Sequence, residues 1–298
     1  MFGLGEEFRY HECDSCSTLQ IMDPPSSLDK YYPTDYYSYS EAGGLLSAAY
    51  KLSTQLGELP SKPLSMRVIN FCVRAILSGV LTSFPKELLD LPCDSRILDV
   101  GCGSGSFLRA LRMAGFRYLV GIDPYLSKPL DENGVRLMKS DIFHAEGSYD
   151  LILFNHSFEH IPTPKLVMSR AKDLLRAGGL CIIQVPVVPS HAWAIYRENW
   201  VQLDAPRHLF IPSIDGIEIL SKRLGLKVVN ARRNSTELQF WGSEQYVRDT
   251  PLMSSESYVY GLRRSMFTRS QIRRYHRMAA KLNNEGSGDQ VVIIMRKE

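Results

Sequence analysis

Several things are scarce in this chain, and each shortage closes off a class of function. The 298 residues include only six cysteines, at positions 13, 16, 72, 93, 102 and 181. That scatter is not the disulfide framework of a small extracellular domain. No charge sign dominates: 35 basic against 32 acidic side chains leave a net charge of +3. A nucleic-acid binder usually carries a basic footprint, so no nucleic-acid partner is expected. Long apolar runs are missing too. The most apolar window, 68–84, is interrupted by Arg74 and Ser78-Gly79 and is too short for a membrane span. No signal-peptide pattern opens the chain, which makes the cytoplasm the expected location. Internal repeats, a G-x-G-x-x-G fingerprint and a G-x-x-x-x-G-K-[ST] phosphate loop are absent. What remains is ordinary globular composition, 44% hydrophobic and 22% charged, with length for one large core plus an appendage.

The most informative stretch is Arg96–Gly105, RILDVGCGSG. Ile97, Leu98 and Val100 are a short strand-like run, and Phe107, Leu108, Leu111 and Ala114 recur at helical spacing. Between them lie Gly101, Cys102, Gly103, Ser104 and Gly105. Glycines in a strand-to-helix turn allow positive φ and close approach of a ligand. Asp99, just before the turn, would repel phosphate but suits a ligand with cationic or hydroxyl groups. A second strand, Tyr118–Ile122, ends in Asp123, about 20 residues beyond the glycines. A carboxylate there can accept both ribose hydroxyls of an adenosine; the plainer alternative is a helix N-cap. A third strand, Val135–Met138, precedes Asp141 and Ile142. A fourth, Tyr149–Asn155, is a continuous apolar run of the kind buried in a parallel sheet.

These residues resemble motif I and the following motifs of the class I S-adenosylmethionine-dependent methyltransferases, best over Arg96–Val185. The resemblance implies a Rossmann-like α/β fold with a seven-stranded, mostly parallel sheet. It implies that Asp99, Gly101, Cys102, Gly103 and Gly105 wrap the amino-acid end of S-adenosylmethionine. Asp123 would hold the ribose, Asp141 would face the adenine amino group, and Ile142 would offer its backbone N–H. Asn155, at the end of strand four, joins the cofactor set. The loop His156-Ser-Phe-Glu159-His160-Ile-Pro162 formally matches H-x-x-E-H. Pro162 and Pro164 prevent a long helix there, and the loop resembles the post-strand-four motif of the same family. His156, Glu159 and His160 could hold a divalent ion, contact cofactor or substrate, or stabilise the loop.

After strand five (Leu180–Val185) comes a long insertion, about 187–212, with Trp193, Tyr196, Trp200, Asp204, Arg207 and His208. Loops of that length in a compact domain are usually functional. An imidazole with its ordinary pKa of ~6.5 can take a hydroxyl proton near neutral pH. His208 is the first candidate base and His160 the second; a helix-approach residue bonded to backbone is the bland alternative for His208. Strand six is read at Lys227–Ala231 and a final strand at Gln290–Met295, after a basic helix near 270–282.

The N-terminus differs from the rest. Cys13-x-x-Cys16 is half of a zinc ribbon, and tetrahedral zinc wants four ligands. His11 could be a third. The segment resembles the cysteine knuckle of a methyltransferase subfamily found among sugar and surface-polysaccharide enzymes, whose first pair would have to precede Met1. Zinc at Cys13 and Cys16 is weighed against two free thiols. Residues 1–40 are read as a cysteine- and tyrosine-rich segment, 41–92 as a helical cap and 93–298 as the methyltransferase domain. Tyr31–Tyr39 and the aromatic residues of 234–262 are read as framing an acceptor pocket. The resemblance implies methyl transfer to a small-molecule acceptor, most readily a sugar or sugar nucleotide. Three rivals stay open: a quinone-type methyltransferase, a nicotinamide-linked oxidoreductase, and a non-catalytic S-adenosylmethionine-binding or interaction domain.

Overall fold

The computed structural model describes residues 5–32, 86–263 and 265–298. The expected helical cap lies almost wholly outside the described residues, as do Tyr36, Tyr37 and Tyr39. In chain order the elements are β1 (Tyr10–Glu12), β2 (Leu19–Ile21), α1 (Lys86–Leu89), β3 (Arg96–Val100), α2 (Ser106–Met113), β4 (Tyr118–Ile122), β5 (Leu130–Glu132), β6 (Val135–Met138) and β7 (Tyr149–Asn155). There follow α3 (Pro164–Leu174), β8 (Leu175–Pro186), α4 (His191–Tyr196), β9 (Phe210–Ile211), α5 (Ile214–Leu224), β10 (Leu226–Arg233), α6 (Leu238–Val247), α7 (Arg269–Asn284) and β11 (Gln290–Lys297). They group into two compact units. One comprises residues 86–155, 166–182 and 296–298; the other comprises 5–32, 156–165 and 183–295.

In the first, the glycine-loop unit, the strand order is β8-β7-β3-β4-β6-β5. β3 pairs in parallel with β4 and β7, and β4 in parallel with β6. Ile97, Leu98, Leu151, Ile152, Leu153 and Leu119 are all at most 1% exposed, so the central strands are covered on both faces. That burial is why their sequences are unbroken apolar runs rather than alternating ones. α2 sets Phe107, Leu108, Ala110 and Leu111 on its buried face. It starts from Gly105 at φ +74° and gives way to Gly115 at φ +110°, the expected C-terminal glycine. The seven expected strands are all present, and the Rossmann-like, mostly parallel α/β architecture is confirmed. An eighth, β5, was not read from the sequence. It is three residues long and pairs antiparallel with β6 across Asn133-Gly134, both at positive φ.

The second, the histidine unit, holds residues 183–186 in the order β10-β11-β8 and a separate three-stranded sheet, β1-β2-β9. The long insertion is therefore structured. It holds α4 and two short 3-10 turns (Arg197–Asn199, Val201–Leu203) and ends in β9, which pairs with β2 through Leu19↔Ile211 and Gln20↔Phe210. Leu19, Val188, Ala192, Trp200 and Ile211 form one buried cluster beneath this pairing. The Ser213 hydroxyl caps α5 by accepting from Gly216 N at 2.8 Å, and Gly225 closes it at φ +71°. α7 opens on a Thr268–Gln271 capping box. Among the described residues no helix is long and apolar enough to cross a membrane.

Candidate functional site

The glycine-loop unit gathers the expected cofactor residues at the C-terminal ends of its parallel strands, the edge where open α/β sheets bind ligands. Gly101, Gly103 and Gly105 all have positive φ (77°, 51° and 74°), a conformation that residues with a Cβ rarely adopt. Asp123 holds this turn. One carboxylate oxygen accepts from Gly103 N at 3.0 Å and the other from Tyr125 N at 2.8 Å. The predicted ribose acid is thus also the anchor of the glycine loop, and its Tyr125 bond includes the cap-like role weighed against it.

Asp99 is 2% exposed, and its Oδ1 has no hydrogen-bond donor. Burial, with the Asp123 carboxylate nearby, raises its pKa to about 7. Burial likewise pushes the Cys102 thiol upward, with the two aspartates adding to it. Asn155 Oδ1 is a second buried acceptor without a donor. Two orphaned acceptors beside a glycine turn call for a ligand with hydroxyl or ammonium donors, which is what S-adenosylmethionine carries, so the residues fit that group. Asp141 also has a local role. Its Oδ1 accepts from Phe143 N and His144 N and lies 2.8 Å from His144 Nδ1, so the carboxylate caps its own turn. Slight burial opposes ionisation, yet the His144 contacts hold its pKa below the ordinary carboxylate value. Ile142 buries its side chain on the adjoining 3-10 turn. Sequence reasoning missed Gly121. A Cβ there would lie 2.7 Å from both Cys102 Sγ and Leu108 Cδ1, so the turn and α2 pack directly on the β4 backbone.

The histidine unit brings together both candidate bases, 48 positions apart in the chain: the His160 and His208 rings lie 4.8 Å apart, centre to centre. Phe158–His160 is a single 3-10 turn, as the two prolines required. Leu209 N donates to Glu159 O at 2.9 Å, and Phe158 packs edge-on against Phe210, tying that turn to the segment entering β9. His208 Nδ1 lies 2.7 Å from Gln202 O, and His160 Nδ1 lies 2.8 Å from Arg207 O and 3.1 Å from the Tyr32 hydroxyl. A carbonyl only accepts, so each Nδ1 carries the hydrogen. Glu159 is fully buried, and neither carboxylate oxygen has a hydrogen-bond donor. Its Oε1 stands 3.9 Å from His208 Nε2 and 3.6 Å from His156 Nδ1. Asp204, in the left-handed region at φ +39°, pairs with the buried Arg207 guanidinium and lies 3.7 Å from His208 Nε2. Burial, with His160 beside it, lowers the His208 pKa to about 4 despite the two carboxylates. That corrects the expectation of an ordinary imidazole: His208 is neutral at pH 7 and a weak proton acceptor. His160 is partly exposed.

Cys13 and Cys16 are free thiols on the turn of the β1–β2 hairpin. Cys16 Sγ donates to Thr18 Oγ1 at 3.4 Å. Among the described residues no third cysteine, histidine or carboxylate joins the pair. The three-ligand grouping that does occur is Glu159, His160 and His208. Zinc at Cys13 and Cys16 is therefore unsupported, because two ligands leave half of a tetrahedral site without a donor.

Comparison with known proteins bears on the same region. A family model described as a methyltransferase domain matches residues 73–231. A tRNA U34 carboxymethyltransferase of Pseudomonas fluorescens is 27% identical over 150 residues, 45% of this chain and 46% of that protein. One from Geobacter sp. is 28% identical over 159 residues, 48% of this chain and 49% of that protein. The matched region spans about half the length of these curated relatives. Among solved structures, a cyclopropane synthase of Mycobacterium tuberculosis shares 18% identity, with 75% of this chain and 83% of that one covered at a TM-score of 0.45. The magnesium protoporphyrin IX methyltransferase of Synechocystis PCC 6803 shares 12% identity, with 91% and 97% covered at a TM-score of 0.46. The relatives named for tRNA do not support the expectation of a chain without a nucleic-acid partner, nor the sugar-specific subfamily. The family match takes in more than half of the sequence and includes the whole glycine-loop motif: the chain belongs to the methyltransferase-domain family.

Proposed function

We propose that the chain methylates a hydroxyl of a small-molecule acceptor, a sugar or sugar nucleotide, and that His160 handles the acceptor's proton with His208 orienting it. When bound, S-adenosylmethionine supplies an electrophilic methyl group on its sulfonium. The chain's own residues do the rest. Asp123 accepts the ribose hydroxyls while keeping the glycine turn in place, and charge-assisted bonds of this kind are strong. Asp99 and Asn155 offer their unfilled acceptors to the amino-acid end. Asp141 orders the turn that carries Ile142. His160, partly exposed, is the side chain with access to an acceptor hydroxyl. His208, Asp204 and Glu159 are the polar surroundings that orient it.

The observation that supports this reading is the Glu159–His160–His208 cluster, a concentration of proton-handling groups around a buried carboxylate that no hydrogen-bond donor satisfies. A second reading, a tRNA acceptor, is favoured by the names of the curated relatives. It is also favoured by Arg269, Arg273, Arg277 and Lys281, which repeat every four residues along α7 and are all exposed. Such a cationic row suits a phosphate backbone. Methyl transfer from labelled cofactor, run in parallel on a panel of nucleotide sugars and on unmodified tRNA, tests both. Label in the sugar fraction supports the proposal. Label confined to tRNA overturns it in favour of the second reading.

A further inference from the structure

We propose that Glu159, His160 and His208 form a binding site for one divalent transition-metal ion of the zinc, cobalt and iron(II) class. Their candidate ligand atoms all lie within 4.8 Å of one another. Both imidazoles are held with Nδ1–H on a backbone carbonyl, Gln202 O for His208 and Arg207 O for His160. This is the arrangement that outer contacts impose on metal-binding histidines, since it fixes the tautomer and leaves the Nε2 lone pair free.

For His208 that lone pair lies 3.9 Å from Glu159 Oε1, so two acceptors stand near each other with no hydrogen bond between them. Glu159 is an independent pointer. A fully buried carboxylate that has no hydrogen-bond donor, only the long approaches of His156 Nδ1 at 3.6 Å and His208 Nε2 at 3.9 Å, is costly unless a cation sits against it. In a tetrahedral site with bonds near 2.0–2.1 Å, neighbouring ligand atoms are about 3.3 Å apart. Closing the Glu159–His208 pair on an ion takes a shift of about 0.6 Å, and the widest separation in the set, up to 4.8 Å, takes up to about 1.5 Å. Asp204 Oδ2, 3.7 Å from His208 Nε2, is within reach as a fourth donor, and the exposed side of His160 leaves room for a solvent or acceptor oxygen.

The donor set selects the class. Two imidazoles with one carboxylate suit zinc or iron(II), whereas magnesium and calcium take oxygen sets. The site deepens the proposed function and rests on it only for its role. A coordinated hydroxyl has a lowered pKa, so the histidines would promote proton loss from the acceptor to solvent through the ion they hold.

The test is a Co²⁺ titration of the full chain after dialysis against a chelator, read by visible absorption. The expected result is one ion bound with the spectrum of nitrogen and oxygen donors, and no thiolate charge-transfer band. Glu159→Gln and His208→Ala should each weaken binding at least about tenfold. A Cys13→Ser/Cys16→Ser variant should bind as the unmodified chain does. Absence of Co²⁺ binding by the unmodified chain overturns the site. So does a thiolate band that vanishes in the double serine variant, or a Glu159→Gln protein of unchanged melting temperature that binds as tightly as before. Methyl transfer assayed separately keeps the two readings apart. Transfer to a sugar nucleotide without Co²⁺ binding removes the ion and leaves the acceptor. Binding without such transfer removes the acceptor reading and leaves the site.

Discussion

Replacing Asp99 with asparagine should make the protein more stable and a poorer binder of its cofactor. Asp99 is buried beside Asp123, and its pKa rises from 3.8 in the unfolded chain to about 7 in the folded one. Its raised folded value means that the native state keeps a proton which the unfolded state has released. From this group, stability falls as pH rises from about 4 to about 7 and stays low above that. A shift of this size corresponds to as much as about 4 kcal/mol at pH 8, and to roughly 2–3 kcal/mol between pH 5 and pH 8. Asparagine keeps the shape and removes the charge. Urea unfolding of both proteins at pH 5 and pH 8 reads the effect. The stability gained by Asp99→Asn should grow across that interval by that amount. Calorimetric titration with S-adenosylmethionine should show weaker binding, because the cationic cofactor loses a carboxylate. A variant that is less stable at pH 8, or whose gain is the same at both pH values, would refute the argument. The native aspartate would then not be held against its own solvation for the sake of a ligand.

Three other perturbations follow from contacts described above. Asp123→Ala should weaken S-adenosylmethionine binding by ~1–3 kcal/mol, read by calorimetry, since both the ribose acceptor and the Gly103 N anchor are lost. Gly121→Ala should lower stability by about 1–3 kcal/mol in denaturant titration, because the new methyl group meets Cys102 Sγ and Leu108 Cδ1 at 2.7 Å. Trp200→Phe removes the indole N–H that Asp289 Oδ2 accepts at 2.9 Å in a fully buried setting. It should cost about 1–3 kcal/mol. Burial raises the Asp289 pKa to about 6 despite the Trp200 and Ser235 hydrogen bonds, so the loss should be larger at pH 8 than at pH 5.

The sequence was most legible where the structure is local. Strand, glycine turn and helix over Arg96–Met113 are written in consecutive residues, and Gly115 marks the helix end. The buried strands announced themselves as unbroken apolar runs. β5 was not legible, because three residues ending in Asp131-Glu132 have no strand-like pattern and depend on pairing with β6. His160 and His208 could each be named as a candidate, but their meeting depends on the Leu209–Glu159 backbone bond, a contact between distant parts of the chain. Asp141 stood at the family's expected position, and what the sequence did not show is that its carboxylate also caps its own turn, as Asp side chains near turns commonly do. Asp289 and Gly121 carried no motif; their roles come from what packs against them.

The β2–β9 pairing joins residues about two thirds of the chain apart. Leu19 and Gln20 find their partners only at Phe210 and Ile211. At about 5–20 residues per second of synthesis, the N-terminal hairpin waits on the order of 10–40 s for the strand that completes its sheet. During that interval Leu19 and Ile21, both buried in the finished protein, face solvent or a chaperone. In a nascent chain this hairpin is a client waiting for its partner, and its apolar side chains are where holdase binding and aggregation should begin.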